Sequence, residues 1–234
     1  PCSHKGKTPP CADAIVRAGI SRVVSAIQDP NPEVAGGGHA KLAERGIRVD
    51  ITGTNEARRI HAGHVRRVTE GRPQVILKLA VSADDKVALA GRRPVAISGE
   101  AARERIFQMR AHCDAIMVGI GTVLADNPAL TCRLPGMFEL SPIRVVLDSQ
   151  LKVPLASHVI ATLRETQTWV FGSADASSNP EEILIERGAK VYRVGGKDGR
   201  LDLAEVLKVL AGEGITRLLA EGGPTAKGRP MVNL

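Results

Sequence analysis

Aromatic side chains are scarce in this chain: one Trp, one Tyr and three Phe among 234 residues. A surface that stacks nucleic-acid bases needs such rings, so that class of partner is disfavoured. Long apolar runs are missing as well. Nothing approaches the ~18 residues that a bilayer-spanning helix requires. The start, Pro1-Cys2-Ser3-His4, has no basic segment followed by an apolar core. It therefore does not read as a secretory leader, and a cytoplasmic protein is expected. It also has no initiator Met. The expectation is a chain that begins inside a longer gene product. Cysteine is limited to Cys2, Cys11, Cys113 and Cys132. Without a leader, metal binding or plain burial explains them better than a disulfide framework.

What is present is an ordinary globular mixture, 43% hydrophobic and 24% charged, with a formal net charge of +7. A basic balance suits phosphorylated small molecules, nucleic acid or an anionic surface, or is simply a solvated face. Short β-like runs alternate with amphipathic segments, which is the signature of α/β architecture. Helices are expected at Cys11–Ala18, His39–Arg45, Asn55–Glu70, Glu100–Cys113, Pro180–Arg187 and Leu203–Leu210. Strands are expected at Arg22–Ile27, Ile47–Ile51, Val75–Ala80, Ala115–Val118, Ile143–Leu147, Thr168–Phe171, Val191–Val194 and Arg217–Ala220. Ser98 is expected to cap the helix that Glu100 opens. Gly71-Arg72-Pro73 punctuates strongly and sets a boundary between residues 1–72 and 73–234.

Chemistry-bearing residues fall in three places. Cys2 and Cys11 flank Ser-His-Lys-Gly-Lys-Thr-Pro-Pro, and Cys11 opens a helix. A helix N-terminus stabilises thiolate, the form that ligates zinc. Two cysteines alone fit structural burial equally well. Further on, Met109-Arg110-Ala111 and Asp114-Ala115-Ile116-Met117-Val118 lead into Gly119-Ile120-Gly121-Thr122. The Asp126-Asn127-Pro128 corner and Leu130-Thr131-Cys132-Arg133 follow. This reads as a helix, a buried strand and a Gly-rich turn whose free N–H groups suit phosphate. Last, Ser149 ends a strand, and Glu221-Gly222-Gly223-Pro224-Thr225 follows another. In open α/β sheets ligands collect at such strand ends.

The string from Pro1 to Ala14, with Gln28-Asp29-Pro30-Asn31-Pro32 and Val34-Ala35-Gly36-Gly37-Gly38, resembles the zinc signature of the RibD family. The domain that carries it is one of the cytidine-deaminase-like enzymes. The resemblance implies Cys2 and Cys11 as zinc ligands. The family's third ligand and its acid/base lie in a His-x-Glu motif, which this sequence lacks; neither His4 nor His39 supplies it. Residues 1–72 are thus expected to be the C-terminal part of a deaminase domain that cannot deaminate.

From Leu77-Lys78-Leu79-Ala80 onward the chain is similar to the family's reductase domain, which has a dihydrofolate-reductase-like fold. The resemblance implies NADPH contacts at Ala80, Thr122, Asp126, Ser149, Gly222 and Gly223. It implies substrate contacts at Arg110, Leu130, Arg133 and Glu221. The reaction implied is riboflavin biosynthesis: reduction of a ribosylaminopyrimidine phosphate to its ribityl form. Guanidinium groups suit its phosphate. Two copies pairing through the reductase domain are also implied. After Thr225 the sequence departs from the family, so the reductase domain is expected to lack its C-terminal part. Two rivals remain: a zinc deaminase acting on another base, and a fragment without activity that binds nucleotide or pairs with another subunit.

Overall fold

The computed structural model describes residues 1–6, 8–32, 34–84 and 97–222. The chain divides into two compact units, Pro1–Arg72 and Pro73–Leu234.

In the first unit, α1 (Cys11–Arg17), β1 (Arg22–Ser25), α2 (Gly37–Glu44), β2 (Arg48–Ile51), α3 (Asn55–Ile60) and α4 (Ala62–Glu70) follow in order. β1 and β2 pair in parallel, Arg22 opposite Arg48. Ala12, Leu42 and Ile47 form a small core, with Ile15, Val16, Val23 and Val49 against it. Gly38 lets α2 press on the chain start, since a Cβ there would overlap the Pro1 carbonyl oxygen. The single helix expected over Asn55–Glu70 is two helices. His61 sits between them at φ −92°, ψ 7°. Gly63, the segment's weakest helix former, follows two residues later, which is where a helix gives way.

The second unit is built on a six-stranded sheet. Its strands are β3 (Gln74–Lys78), β4 (Ala115–Gly119), β5 (Ile143–Leu147), β6 (Thr168–Ser173), β7 (Lys190–Val194) and β10 (Arg217–Glu221). A separate antiparallel pair, β8 (Gly196–Lys197) and β9 (Arg200–Leu201), stands between β7 and β10 in sequence. The order is β3-β10-β4-β5-β6-β7, and every pairing is parallel. Strands buried on both faces read as continuous apolar runs, as Ala115–Val118 and Ile143–Leu147 do. The side-chain period of two sorts them onto two faces. Ile116, Val118, Val146, Val170 and Leu219 belong to one core. Ala115, Met117, Val145, Trp169, Phe171, Leu218 and Ala220 belong to the other.

Helices cover both faces. Val123 of α6 (Ile120–Asp126), Val159 and Ile160 of α7 (His158–Ala161) and Leu184 of α8 (Ser178–Glu186) join the first core. Met109 of α5 (Glu100–Ala111) packs against it. Val206, Leu207 and Leu210 of α9 (Leu203–Gly212) join the second. Each such side chain contributes about 1.5–3 kcal/mol. The α/β expectation and its parallel sheet hold.

Two local expectations change. Ser98 does not cap α5; Gly99 occupies that position, and no side-chain oxygen bonds the free N–H groups. Ser98 is simply one residue too early. The Gly-rich turn after β4 is the start of α6, with Gly119 as its N-cap. Among the described residues no helix is long and apolar enough to cross a membrane.

Candidate functional site

A parallel sheet delivers the carboxyl ends of all its strands to one edge. Insertion of β10 between β3 and β4 makes four consecutive ends out of β3, β10, β4 and β5. Register keeps them level: Glu221 lies opposite Lys78, Ala220 opposite Met117, and Gly119 opposite Leu147. With neighbouring strands ~4.8 Å apart, the four ends span roughly 15 Å. The predicted residues Ala80, Glu221, Gly222, Thr122 and Ser149 stand at or just beyond these ends. Gly223 lies outside the described residues.

At β4 the backbone is open. Among the described residues, and its chain neighbours aside, a Cβ on Gly119 or on Gly121 would meet no atom within 4 Å. Thr122, half-buried, is in the first turn of α6, and exposed Asp126 is its last residue. Asn127 then turns left-handed at φ 42° and ends the helix. At β5, half-buried Ser149 follows Asp148, whose side chain is buried and accepts the Val153 N–H at 2.7 Å. Burial pushes the Asp148 carboxyl up; backbone N–H donors from Val153, Gln150 and Lys152 pull the other way.

The two predicted substrate residues Arg110 and Glu221 bind each other. Arg110 Nε donates to Glu221 Oε1 at 3.0 Å, and Nη2 donates to Oε2 at 3.1 Å. The pair is only 11% and 15% exposed. Arg110 Nη1 donates to the Thr131 carbonyl at 3.0 Å. Its guanidinium thus joins α5, the end of β10 and the segment after α6. Leu130 is 2% exposed and packs in the first core. It adopts φ 57°, a left-handed conformation that costs a non-glycine residue about 1–2 kcal/mol. Arg133 is exposed.

Several residues that shape the sheet gave no signal in the sequence. Arg144 lies inside an apolar strand pattern, yet it is fully buried. Its guanidinium donates to Thr162 Oγ1 at 2.7 Å, to the Thr162 carbonyl at 3.2 Å and to the Thr166 carbonyl. Asp114 Oδ2 accepts from the Thr216 and Arg217 N–H groups at 2.7 and 2.9 Å, which fixes where β10 enters beside β4. An Asp or an Arg flanking a strand is common, so neither stood out.

In the first unit the Cys11 N–H donates to Cys2 Sγ at 3.4 Å. That donor, with the Cys11 thiol, holds the Cys2 thiol below its ordinary value. Cys2 and Cys11 are therefore neighbours, as a shared ligand set requires. Among the described residues no group of three or more His, Cys, Asp or Glu side chains could hold a metal ion. The residues present do not complete a zinc site. His39 does not fill the gap, since it joins no such group; burial lowers its pKa, and neither ring nitrogen has a partner among the described residues. Cys113 and Cys132 are buried, free thiols.

A family model described as the RibD C-terminal domain matches residues 73–229. The riboflavin biosynthesis protein RibD of Bacillus amyloliquefaciens is 42% identical over 97% of this chain, which spans 61% of that relative. Among solved structures, Acinetobacter baumannii RibD superposes with a TM-score of 0.84 at 33% identity, covering 97% of this chain and 61% of that one. A diaminohydroxyphosphoribosylaminopyrimidine deaminase/5-amino-6-(5-phosphoribosylamino)uracil reductase of Thermotoga maritima gives 0.79 at 34% identity, covering 95% and 60%. The chain thus spans about three fifths of the length of the relatives it matches.

Proposed function

The chain belongs to the RibD C-terminal domain family, and from that premise we propose that its second unit reduces a phosphoribosylaminopyrimidine with NADPH. The substrate is 5-amino-6-(5-phosphoribosylamino)uracil, and the product carries a ribityl chain. The observation that carries this reading is the alignment of Ala80, Gly222, Thr122 and Ser149 along four adjacent strand ends. Open space over Gly119 and Gly121 fits a cofactor that must approach backbone closely.

When bound, NADPH supplies the hydride that reduces the ribosyl C1 carbon and opens the ring. The protein needs no nucleophile of its own; it supplies position and charge. Thr122 and Ser149 orient the cofactor with hydroxyls, and the Gly222 backbone seats its pyrophosphate. Asp126, exposed at the end of α6, takes a polar cofactor group. Arg133, which is exposed, carries a guanidinium suited to the substrate phosphate. Arg110 and Glu221 stand beside it as a preassembled pair, and Leu130 offers main-chain groups.

Residues 73–234 are read as the reductase domain and residues 1–72 as the C-terminal part of a deaminase domain. The Cys2–Cys11 contact favours the latter. No deamination step is derived, because the third ligand and the acid/base have no counterpart. The partners of this reading are small molecules in the cytoplasm, and two copies pair through the reductase domain.

Fluorescence titration with NADPH, followed by loss of nicotinamide absorbance on adding the pyrimidine, tests it. Saturable binding and substrate-dependent oxidation are expected. Absence of NADPH binding overturns the reductase reading in favour of a fragment without activity. Ammonia release from a pyrimidine overturns the view of the first unit.

A further inference from the structure

Leu130 is held in an unusual way. Its side chain is buried in the core beside β4 and β5, and its backbone is left-handed at φ 57°. The carbonyls on both sides of it are gripped by buried arginines from different elements. Arg110 Nη1 of α5 takes the Thr131 carbonyl at 3.0 Å. Arg144 Nη1 of β5 takes the Ala129 carbonyl at 3.5 Å.

Arg144 reaches the same segment by a second route. Its Nη1 donates to the His158 carbonyl at 3.4 Å and to Thr162 Oγ1 at 2.7 Å. Thr162 Oγ1 in turn donates to the His158 carbonyl at 2.6 Å. His158 holds Asn127 twice at 2.8 Å, through its backbone N–H to Oδ1 and through Nδ1 to the carbonyl. The segment is also tied at its far end, where the Cys132 N–H donates to Ser141 Oγ at 3.0 Å. Asn127, Ala129, Thr131 and Cys132 are therefore all anchored, and the next residue is exposed Arg133.

A left-handed leucine persists only where its surroundings over-determine it, and such sites cluster at ligand clamps. An arginine without a carboxylate hydrogen-bond partner among the described residues, turned onto carbonyls and one hydroxyl, suits the task. Burial pulls its pKa down to about 10, so it remains a charged donor at neutral pH. Its planar fork spans several acceptors at fixed angles, which a lysine cannot do.

We propose that Arg144 is a positioning residue for the substrate side of the site. With Arg110 it fixes the backbone around Leu130, and so sets the point from which Arg133 reaches the substrate phosphate. Arg110 belongs to the same scaffold, so the phosphate falls to Arg133. The proposal rests on the reductase reading for its ligand, and on geometry alone for the clamp.

Arg144→Lys is the first variant, measured by hydrogen exchange and by titration with ribose 5-phosphate and with NADPH. Exchange over residues 127–134 is expected to accelerate at least about tenfold, while residues 115–119 and 217–221 stay protected. Affinity for ribose 5-phosphate is expected to fall about tenfold, with NADPH affinity within about twofold of wild type. A purely structural role predicts something else: all strands loosen together, or both ligands weaken in parallel. Either result overturns the proposal, as does unchanged exchange over residues 127–134. Should Arg144→Lys fail to fold, Thr162→Val removes one acceptor and carries the same expectations at about threefold, and Thr162→Ser restores wild-type behaviour. If wild-type protein binds neither ligand, the reductase reading falls, and the exchange experiment alone decides the clamp.

Discussion

Arg110 and Glu221 lie 111 residues apart in sequence, yet their side chains meet as a forked, two-bond ion pair at 3.0 and 3.1 Å. One closes α5 and the other closes β10. The family resemblance places both at the substrate, and the structure adds that each is the other's partner. An isolated charge buried here would be costly, so the pair stands or falls together.

Removing one member should therefore hurt more than removing both. Glu221→Leu leaves a buried guanidinium without its carboxylate and should cost about 3–5 kcal/mol. Arg110→Met with Glu221→Leu should cost less than either single change. Urea denaturation of the two single variants and the double variant checks this. Additive losses would show that the two side chains act independently.

Leu130 offers an inverted substitution series. Leu→Ala in a packed core costs about 2–5 kcal/mol. Glycine is usually worse than alanine, but at φ 57° it relieves backbone strain. Leu130→Gly should therefore be about 1 kcal/mol less destabilising than Leu130→Ala. Thermal unfolding of both variants decides, and the ordinary order would mean that the left-handed backbone carries no strain.

Asp148 predicts a pH dependence of definite sign. Its folded pKa lies above the ordinary 3.8, chiefly because it is buried. Between the unfolded and folded values the native state holds more protons than the unfolded chain. Stability contributed by this group therefore falls as pH rises through that window, and the deficit persists above it. Asp148→Asn keeps an oxygen for the Val153 N–H and removes the titration. The stability gap between the variant and wild type should move in the variant's favour as pH rises from below 3.8. A flat difference would remove Asp148 from the account.

Gly121 separates folding from binding. Space above it is open, so Gly121→Ala should fold and gain up to about 1 kcal/mol from reduced freedom in the unfolded chain. If the cofactor lies against this backbone, the same methyl should weaken NADPH binding at least about tenfold. Unfolding curves paired with NADPH titration test it. Unchanged affinity would move the cofactor away from the β4 end.

Much of this fold was legible because its strands are buried on both faces and announce themselves as apolar runs. Ile143–Leu147 was bounded to the residue, and Ala80, Thr122, Ser149, Glu221 and Gly222 stand at or just beyond adjacent strand ends. What was hidden is non-local. The Arg110–Glu221 pair and the place of β10 depend on contacts across a hundred residues. Arg144 hides in a strand whose other residues are apolar, and periodicity cannot say that a charge will turn inward onto carbonyls. The break at His61 was missed because hydrogen bonds nearly run through it: His61 still donates to Ala57 and accepts from Val65. Cys2 and Cys11, which the family resemblance singles out, meet in space, whereas Gly223 lies outside the described residues.

The place of β10 also constrains how the molecule can be made. Among the described residues β3 has one neighbour in the sheet, β10, which is separated from it by 138 residues between Lys78 and Arg217. During synthesis β4 to β7 can assemble side by side as they emerge, since each neighbours the next. β3 must wait. A nascent chain stalled anywhere before Arg217 holds an apolar strand, Gln74–Lys78, with no edge to join. Pairings this distant are slow to close and leave strand edges open to wrong partners meanwhile. Among the described strands β10 is thus also the last to arrive, so the carboxyl edge and the pairing of β3 come into being in the same event.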